Sequence, residues 1–547
     1  MNHLYPHTAI LALGCILSAA PLSAQTPSKE DEDAPASLSL LKAREATLAS
    51  GNAAWLHTLS SDESLSEAKL WSGWDEGGLH DYEGSNHLWE WGAQTESFLR
   101  LSPKAVVYGK VAYRNERGKD MGGSAWIDPY EMPFDFVELS DDNRGNKQLE
   151  TYLLQGALSY ALGKRLNLGA AIDYTAANYV KQKDLRHVNK LMDMTLRLGA
   201  TYQVSKAWTM GADYHYSRRT EGILFSMYGT TDRVYNTLVD YGGFYGKNEQ
   251  FGDNGYTSKS EEKPLFDEYH SANIQLRWQP NAAWLIFAEG AYSHRSGYYG
   301  KESPSTVVYS KHHGDNLKGT LSLRYQPRPG TGQNAHHTMH LLRLAFQQDQ
   351  VNNEENIYRY VNQGGGLNTV EYYGTLEVGD KTHRTASAHY LGQWGWKQGH
   401  PNWQITTDFT YQQRQSTASA YPFYRKVDLH RYQAIAEGKR WWGRWSAAIR
   451  SGFSVGGGSM ADDGVYATPS GSQQAPTSMP LYQQQAYEYF TAKQWQGGIS
   501  LSYEHRLTAP KLRAFAELAY DYRQASSVSS LDNDHRHCIE LSVGCRF

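Results

Sequence analysis

The chain ends in the stretch His537-Cys-Ile-Glu-Leu-Ser-Val-Gly-Cys-Arg-Phe547, whose residues alternate in character. One alternate set is wholly apolar and consists of Ile539, Leu541, Val543, Cys545 and Phe547. The other set is polar and contains the charged residues Glu540 and Arg546. Side chains of a β-strand point alternately to opposite faces. The stretch therefore predicts a strand with one apolar face and one polar face.

The final residue, Phe547, adds a second feature to this strand. A terminal strand with an apolar outer face and a last aromatic residue resembles the C-terminal insertion signal of bacterial outer-membrane β-barrels. The resemblance implies recognition by the barrel-assembly machinery and contact with outer-membrane lipid. The edge strand of a soluble β-protein is the alternative. Mean hydropathy is −0.64, and no run of 18 apolar residues follows position 25, which excludes a helical membrane protein but not a barrel.

The N-terminus carries an apolar segment at residues 9–20, followed by Pro21-Leu22-Ser23-Ala24 before Gln25. This order predicts a cleaved signal peptide over residues 1–24. The net charge of the whole chain is −4, so the sequence has no basic footprint for nucleic acid. The signal peptide predicts export, and the terminal strand predicts the bacterial outer membrane as the destination.

Alternating segments from residue 66 onward come in pairs, each joined by a short turn and followed by a long polar segment. This order predicts an all-β fold, a single transmembrane antiparallel up-and-down barrel over residues 65–547, with short periplasmic turns and long extracellular loops. The count is 18 strands, with 16 as the alternative. The predicted strands are 66–80, 87–101, 106–117, 149–162, 166–176, 191–202, 208–217, 271–278, 284–294, 317–325, 338–347, 385–396, 403–411, 431–438, 445–453, 495–503, 512–522 and 537–547.

Two further patterns favour a barrel over a soluble sandwich. The longest polar segments are 118–148, 218–270, 350–384 and 455–490, and all fall on the same side of the strand pairs. Aromatic residues of the apolar set concentrate near both ends of the strands, as in Trp208 and Tyr292. Two such belts are expected at the two interfaces between lipid and water.

The polar set of the strands is predicted to face the lumen, because an outward Arg or Lys at mid-bilayer would cost roughly 2–4 kcal/mol. Two interpretations of the lumen follow. It is either a hydrophilic diffusion pore, or a space in which charges pair and a plug closes the channel. About 16–18 strands leave an aqueous channel unless something occupies it. The predicted lumen-lining residues are Arg197, Asp213, Arg277, Glu289, Arg324, Arg343, Asp408, Glu437, Arg450, Arg513 and Glu517.

Residues 25–64 are predicted to form a periplasmic N-terminal segment with a short helix near 40–48. The following Asn52-Ala53-Ala54 resembles the hatch of FadL-like long-chain fatty-acid transporters, in which an Asn-Pro-Ala motif precedes the first strand. Here Ala53 stands in place of the proline. The resemblance implies a plug or hatch inside the barrel. A periplasmic tail capped by a turn is the alternative.

The signal end, the Tyr-rich strands and the terminal Phe together resemble an outer-membrane β-barrel family of unknown function from Bacteroidetes-type bacteria. That resemblance implies a surface lipoprotein or a TonB-dependent transporter as partner. We expect a channel or transport component for small solutes. The alternatives are a structural or binding barrel in a surface complex and a FadL-like transporter, which would need an apolar pocket behind the hatch. No residue pattern indicates an enzyme, a cofactor or a metal site.

Overall fold

The fold is taken from a computed structural model of the 547-residue chain. It describes residues 36–59, 64–140, 143–229, 232–253, 255–258, 261–327, 338–366, 368–396, 399–507 and 512–547. The predicted signal peptide, residues 1–24, lies outside the described residues. The first barrel strand begins at Leu65.

The described residues form twenty-two strands, and eighteen of them close into one antiparallel barrel. The exceptions are the short strands β4, β9, β10 and β19, which form a separate sheet. The strands are β1 (Leu65–Glu76), β2 (His87–Ser102), β3 (Ala105–Met121), β4 (Asp135–Glu138), β5 (Gly145–Ala161), β6 (Leu166–Lys181), β7 (Arg186–Gln203), β8 (Trp208–Ser226), β9 (Asn236–Asp240), β10 (Tyr245–Gln250), β11 (Lys263–Trp278), β12 (Trp284–Ser303), β13 (Thr306–Tyr325), β14 (Thr338–Asn362), β15 (Asn368–Trp394), β16 (Trp403–Ala420), β17 (Phe423–Trp442), β18 (Trp445–Val465), β19 (Thr477–Ser478), β20 (Lys493–Arg506), β21 (Arg513–Ser526) and β22 (His535–Arg546).

The two ends of the barrel sheet pair with each other. β1 pairs with β2 on one side and with β22 on the other. The Ser66 amide donates to the Phe547 carbonyl at 2.8 Å, and the Phe547 amide donates to the Ser66 carbonyl at 3.0 Å. The sheet therefore has no free edge, which is what a strand-built membrane protein requires. The predicted transmembrane barrel of 18 strands is confirmed.

The outer face of the barrel is apolar. Ile449 is 69% exposed and Leu541 is 45% exposed, although both are large aliphatic residues in mid-strand. Exposed aromatic residues stand near both ends of the strands, among them Tyr160, Trp208, Trp284, Trp403, Trp445, Trp74, Trp89, Tyr214, Tyr292 and Phe409. An apolar band between two aromatic belts matches the thickness profile of a bilayer.

Several segments that the sequence predicts as loops continue as strands. β14 and β15 have 25 and 27 residues, whereas the predicted strands stop at residue 347 and start again at residue 385. Above the bilayer both faces of a strand meet water or protein, so the alternation of apolar and polar residues that marks a lipid-facing strand disappears. Strand extensions beyond the membrane therefore leave no period-two signal in the sequence.

The barrel interior holds two further groups of elements. Near the short-turn end lie helix α1 (Leu38–Arg44) and the 3-10 helices Ala46–Ala49 and Ala53–Thr58. At the long-loop end lie helix α2 (Pro480–Thr491) and the four-stranded sheet in the order β19-β10-β9-β4. Within the described ranges, neither helix is long and apolar enough to cross a membrane.

Candidate functional site: the barrel interior

Residues 36–59, called the hatch below, lie against the inner wall of the barrel. The Asn52 side chain donates to the carbonyls of Ala200 at 3.2 Å and Ala212 at 3.3 Å, and to the Gln275 side chain at 3.0 Å. Its own oxygen accepts from the Ala54 amide at 3.0 Å and so caps the second 3-10 helix. One buried Asn therefore fixes the hatch to three barrel strands.

Three glycines of neighbouring strands form a notch that receives the hatch backbone. A Cβ atom on Gly169 would stand 2.1 Å from the Ala54 amide nitrogen, and one on Gly199 would stand 2.4 Å from the Asn52 side-chain oxygen. A Cβ atom on Gly211 would stand 3.0 Å from the Trp55 ring. A wall residue with a side chain at these positions would clash with the hatch. The three glycines therefore provide the space in which the hatch backbone packs.

The hatch buries apolar side chains against the lower wall. Trp55 is 2% exposed and meets the Phe287 ring edge-on with centroids 5.3 Å apart. Burial of a Trp side chain contributes roughly 4–6 kcal/mol as an upper bound. The apolar wall residues around the hatch are Phe98, Val106, Leu285, Phe287, Met339, Leu341 and Leu391. The lower lumen is therefore less polar than the sequence predicts, because the hatch supplies the apolar partners.

Ionic contacts and a hydrogen bond hold the hatch at the C-terminal end of α1. The Arg324 guanidinium donates to the Arg44 carbonyl at 2.7 Å and to the Glu45 carboxylate at 3.0 Å. Lys42 pairs with Glu96 of β2 at 2.6 Å. Some of the charged wall residues that could line an open pore therefore bind the hatch instead.

The second insertion, called the roof below, is the sheet β19-β10-β9-β4 with α2 and the connecting segments of the long-loop end. Its core joins Phe134 and Phe136 of the first long segment to Tyr256 of the second and Tyr299 of the wall. The Phe134 and Tyr299 rings meet edge-on with centroids 5.3 Å apart. Tyr482 of α2 packs in an adjoining cluster with Val137 and Phe244, so the three loops that build the roof pack together against the wall.

Buried cations of the wall bind backbone carbonyls and one carboxylate of the roof. The Lys147 ammonium donates to the carbonyls of Gly122 at 3.0 Å and Ser124 at 2.6 Å. Lys181 pairs with Glu138 of β4 at 2.5 Å, with both side chains almost fully buried. The Arg295 guanidinium donates to the Glu131 carbonyl at 3.0 Å. Removal of one partner would leave an uncompensated buried charge, so these contacts fix the roof position.

A buried carboxylic acid lies within the roof. Burial raises the pKa of Asp135 to about 6, although hydrogen bonds from Ser124 at 2.6 Å and Tyr82 at 2.8 Å act to lower it. Burial also raises the pKa of the neighbouring Asp240. The roof therefore contains acids that titrate closer to neutral pH than exposed carboxylates do.

A cavity of about 530 Å³ lies between the hatch and the roof. Ala49 of the hatch forms part of its floor, and Tyr130 and Met132 of the roof form part of its ceiling. Its walls carry acids and bases together, namely Asp193, Arg197, His215, Arg219, Glu289, Arg295, Lys318, Asp349, Lys381 and His383. This polar chamber differs from the apolar pocket that a FadL-like transporter would need behind its hatch.

The predicted lumen residues lie in several neighbourhoods. Near the chamber, Arg197 pairs with Asp173, and Asp213 contacts His215, Gln275 and Asn273. Glu289 lines the chamber itself, and Arg324 binds the hatch. The remaining positions have the following partners: Arg277 with Gln279, Arg343 with Ser322, Asp408 with His389, Glu437 with Arg450, and Arg513 with Glu504. Glu517 lines a second cavity of about 310 Å³ at the short-turn end.

The side chains on the two sides of the lumen differ in their solvent exposure. The side chains of Asp213 and Arg295 are 0% and 8% exposed, because the hatch and the roof cover them. The side chains of Asp408 and Arg450 on the opposite wall are both 43% exposed. The hatch therefore fills one side of the lower lumen, and charged side chains remain accessible to water on the other.

The sequence singles out Asn52-Ala53-Ala54, but it predicts neither the glycine notch nor the roof. A glycine inside a strand usually indicates a bulge or a close backbone approach, so Gly169, Gly199 and Gly211 carried a usable signal. The roof segments are rich in Tyr, Gly and Asn, and this composition predicts flexible loops. Across the described part of the chain, no three His, Cys, Asp or Glu side chains are grouped as a metal site requires.

Solved structures resemble the chain at low similarity. The ferric preacinetobactin receptor BauA of Acinetobacter baumannii has a TM-score of 0.41 at 8% identity, with 88% of this chain and 80% of BauA covered. FpvA of P. aeruginosa bound to pyoverdine has a TM-score of 0.39 at 7% identity, with 88% and 72% covered. The outer-membrane transporter YddB of Escherichia coli has a TM-score of 0.38 at 8% identity, with 88% and 81% covered. All three scores lie below 0.5, and nothing about the function of this chain follows from them.

No curated relative matches the sequence. A family model described as a family of unknown function, DUF6850, matches residues 53–547. This match begins at Ala53 of the hatch motif and extends to the terminal Phe547, and it confirms the expected resemblance to a barrel family of unknown function. The chain belongs to the DUF6850 family.

Proposed function

We propose that this chain is an outer-membrane transport barrel for small polar solutes, closed at rest by the hatch below and the roof above. The observation that carries the proposal is the polar chamber of about 530 Å³ between two insertions that come from the chain itself. A barrel of this strand number is wide enough for an aqueous channel, and here the chain occupies that space with its own residues.

The chemistry of the chamber favours polar solutes. Acidic and basic side chains alternate around its wall, and Ser, Thr, Asn and Gln side chains lie between them. A mixed-charge wall sets a transverse field that suits hydrated and zwitterionic solutes better than hydrocarbon. We therefore propose solute transport rather than catalysis, and favour it over carriage of fatty acids.

Planar-bilayer recording tests the proposal. The full chain is expected to show small, infrequent conductance steps, because both insertions are seated. A variant that lacks residues 36–59 is expected to conduct severalfold more, since the cover of the lower lumen is removed. A control is the substitution Gly438→Ala, where an added methyl meets nothing within 4 Å. Equal conductance of the full chain and the deletion variant would refute a closing role for the hatch.

A second candidate function is a structural or binding barrel that holds a surface lipoprotein or a TonB-dependent transporter. The observation behind it is the long hairpin β14–β15, which exposes Ile357, Tyr360, Tyr372, Tyr373 and Leu376 beyond the lipid-facing part of the barrel. Exposed apolar patches of this kind often mark protein contacts. This candidate predicts no conductance in either form, and loss of a co-purifying partner when residues 356–374 are replaced by a short turn.

A further inference from the structure

The outer surface of the barrel carries a groove of about 620 Å³ near the long-loop end. It crosses β22, β1, β2, β3 and the start of β5. Its apolar part is formed by Trp74, Trp89 and Ile539, and its basic part by Arg117 and Lys119. The groove lies on the lipid-facing side of the wall and has no contact with the transport chamber.

The strand register places the apolar and basic parts in one line. Ile539 is opposite Trp74, Trp74 is opposite Trp89, and Trp89 is opposite Arg117. Trp74 is 48% exposed, and the row continues the apolar band that contains Leu541. Tryptophan at this position is typical of the interface between lipid and water. The groove therefore opens directly onto the lipid that surrounds the barrel.

The basic part of the groove lacks compensating acids. Arg117 lies over the Trp89 ring at 5.8 Å, and neither Arg117 nor Lys119 forms an ion pair with a described carboxylate. The two carboxylates of the groove are otherwise engaged, Glu76 with His87 at 3.2 Å and Asp75 with Arg536 at 3.4 Å. Two cations at an interface without acidic partners attract an anionic group from the membrane.

We propose that this groove binds the anionic, phosphate-bearing headgroup of a membrane lipid that carries no compensating positive charge, with the phosphate against Arg117 and Lys119 and an acyl chain along Trp74 and Ile539. An amphiphile satisfies both parts of the groove at once. A free phosphate ion would leave the exposed tryptophans without a partner, whereas an uncharged lipid would leave the two cations without one. The continuity of the groove with the lipid-facing wall identifies the bilayer as the source of the ligand.

Native mass spectrometry of the full chain in mild detergent tests the site. The probes are dioleoylphosphatidic acid and dioleoylphosphatidylcholine, added in equal amounts. The wild type is expected to retain one molecule of phosphatidic acid in preference to phosphatidylcholine. The double variant Arg117→Gln with Lys119→Gln is expected to lose about fivefold in affinity for each cation removed.

The matched control is Lys311→Gln with Lys426→Gln, which removes the same charge from exposed positions of β13 and β17. The control is expected to bind phosphatidic acid as the wild type does. Equal retention by the groove variant and the control overturns the proposal, as does equal binding of the two lipids by the wild type. Displacement of phosphatidic acid by millimolar inorganic phosphate also overturns it, because the site would then recognise the ion alone.

A second measurement on the wild type needs no variant. Retention of phosphatidic acid must fall as sodium chloride rises from 50 to 500 mM, since exposed interfacial cations are screened by salt. Retention that is independent of salt overturns the role of the two cations. Heat-shifted electrophoretic migration checks that both double variants are folded before their lipid retention is compared.

Discussion

The glycine notch under the hatch can be tested with a single methyl group. In Gly169→Ala the new Cβ atom would lie 2.1 Å from the Ala54 amide nitrogen, whereas ordinary contacts begin at 3.4 Å. The hatch backbone would have to move by about 1.3 Å to restore ordinary contact. The nearest atoms belong to the hatch backbone rather than to a flexible side chain, so a small side-chain movement cannot relieve the clash.

Overpacking of this kind costs about 1–3 kcal/mol. The cost falls on the seated state of the hatch, which burial of Trp55 and the hydrogen bonds of Asn52 stabilise. A loss of about 1–3 kcal/mol raises the population of the unseated hatch by about 5- to 150-fold. Combination with Gly199→Ala, the residue directly opposite Gly169 in the register, is expected to unseat the hatch further.

Hydrogen exchange measured by mass spectrometry reads this population directly, because local opening sets the exchange rate of the protected amides. The amides of Ala54, Trp55 and Leu59 donate within the hatch and should exchange about 5- to 150-fold faster in Gly169→Ala. Gly319→Ala, with open space around its methyl, is the control. Identical exchange of hatch amides in the two variants would refute the notch as the seat of the hatch.

Four further changes have defined outcomes. Asn52→Ala removes donors to three strands and should weaken hatch seating by about 1–3 kcal/mol, measured as faster proteolysis of residues 36–59. Because the folded roof raises the pKa of Asp135 from 3.8 to about 6, roof stability should be greatest below pH 4 and fall as pH rises through about 6. Protease cleavage of the roof should then be faster at pH 8 than at pH 5, and Asp135→Asn should flatten that difference; an unchanged profile would contradict the burial of this acid. Glu437→Gln with Glu517→Gln should shift the reversal potential of the hatch-deleted channel toward anion preference, because two acids leave the water-accessible wall. Leu541→Lys should destabilise the barrel by about 2–4 kcal/mol in urea titrations in lipid vesicles, whereas Glu540→Lys, at a half-buried inward position of the same strand, should have a much smaller effect.

The sequence was sufficient to predict the membrane-embedded part of the barrel. Each of the 18 predicted strands corresponds to an observed one, because lipid on one side imposes a strict alternation that can be read residue by residue. The start of β8 at Trp208 and of β12 at Trp284 agrees with the prediction. The upper ends do not, as the extension of β8 to Ser226 shows, since lipid no longer imposes the pattern there.

The interior could be predicted only in part. The sequence singled out Asn52 without its partners, which the structure places on the barrel wall. The roof depends on contacts between residues far apart in sequence, such as Phe134 with Tyr299. No local period or turn signal encodes such pairings, so segments rich in Tyr and Gly appeared as loops. The hydrogen bonds from the Lys147 ammonium to the carbonyls of Gly122 and Ser124 could not be predicted for the same reason.

The barrel fold requires lipid-facing and lumen-facing residues to alternate along each strand around a partly filled interior. Cysteine labelling with a membrane-impermeant thiol reagent tests this most directly, in a background with Cys538 and Cys545 replaced by Ser. Arg450→Cys and Glu517→Cys in lipid vesicles are expected to react rapidly, while the neighbouring Ile449→Cys and Leu518→Cys remain unlabelled. Labelling of the two aliphatic positions with protection of the two charged ones would contradict this alternation.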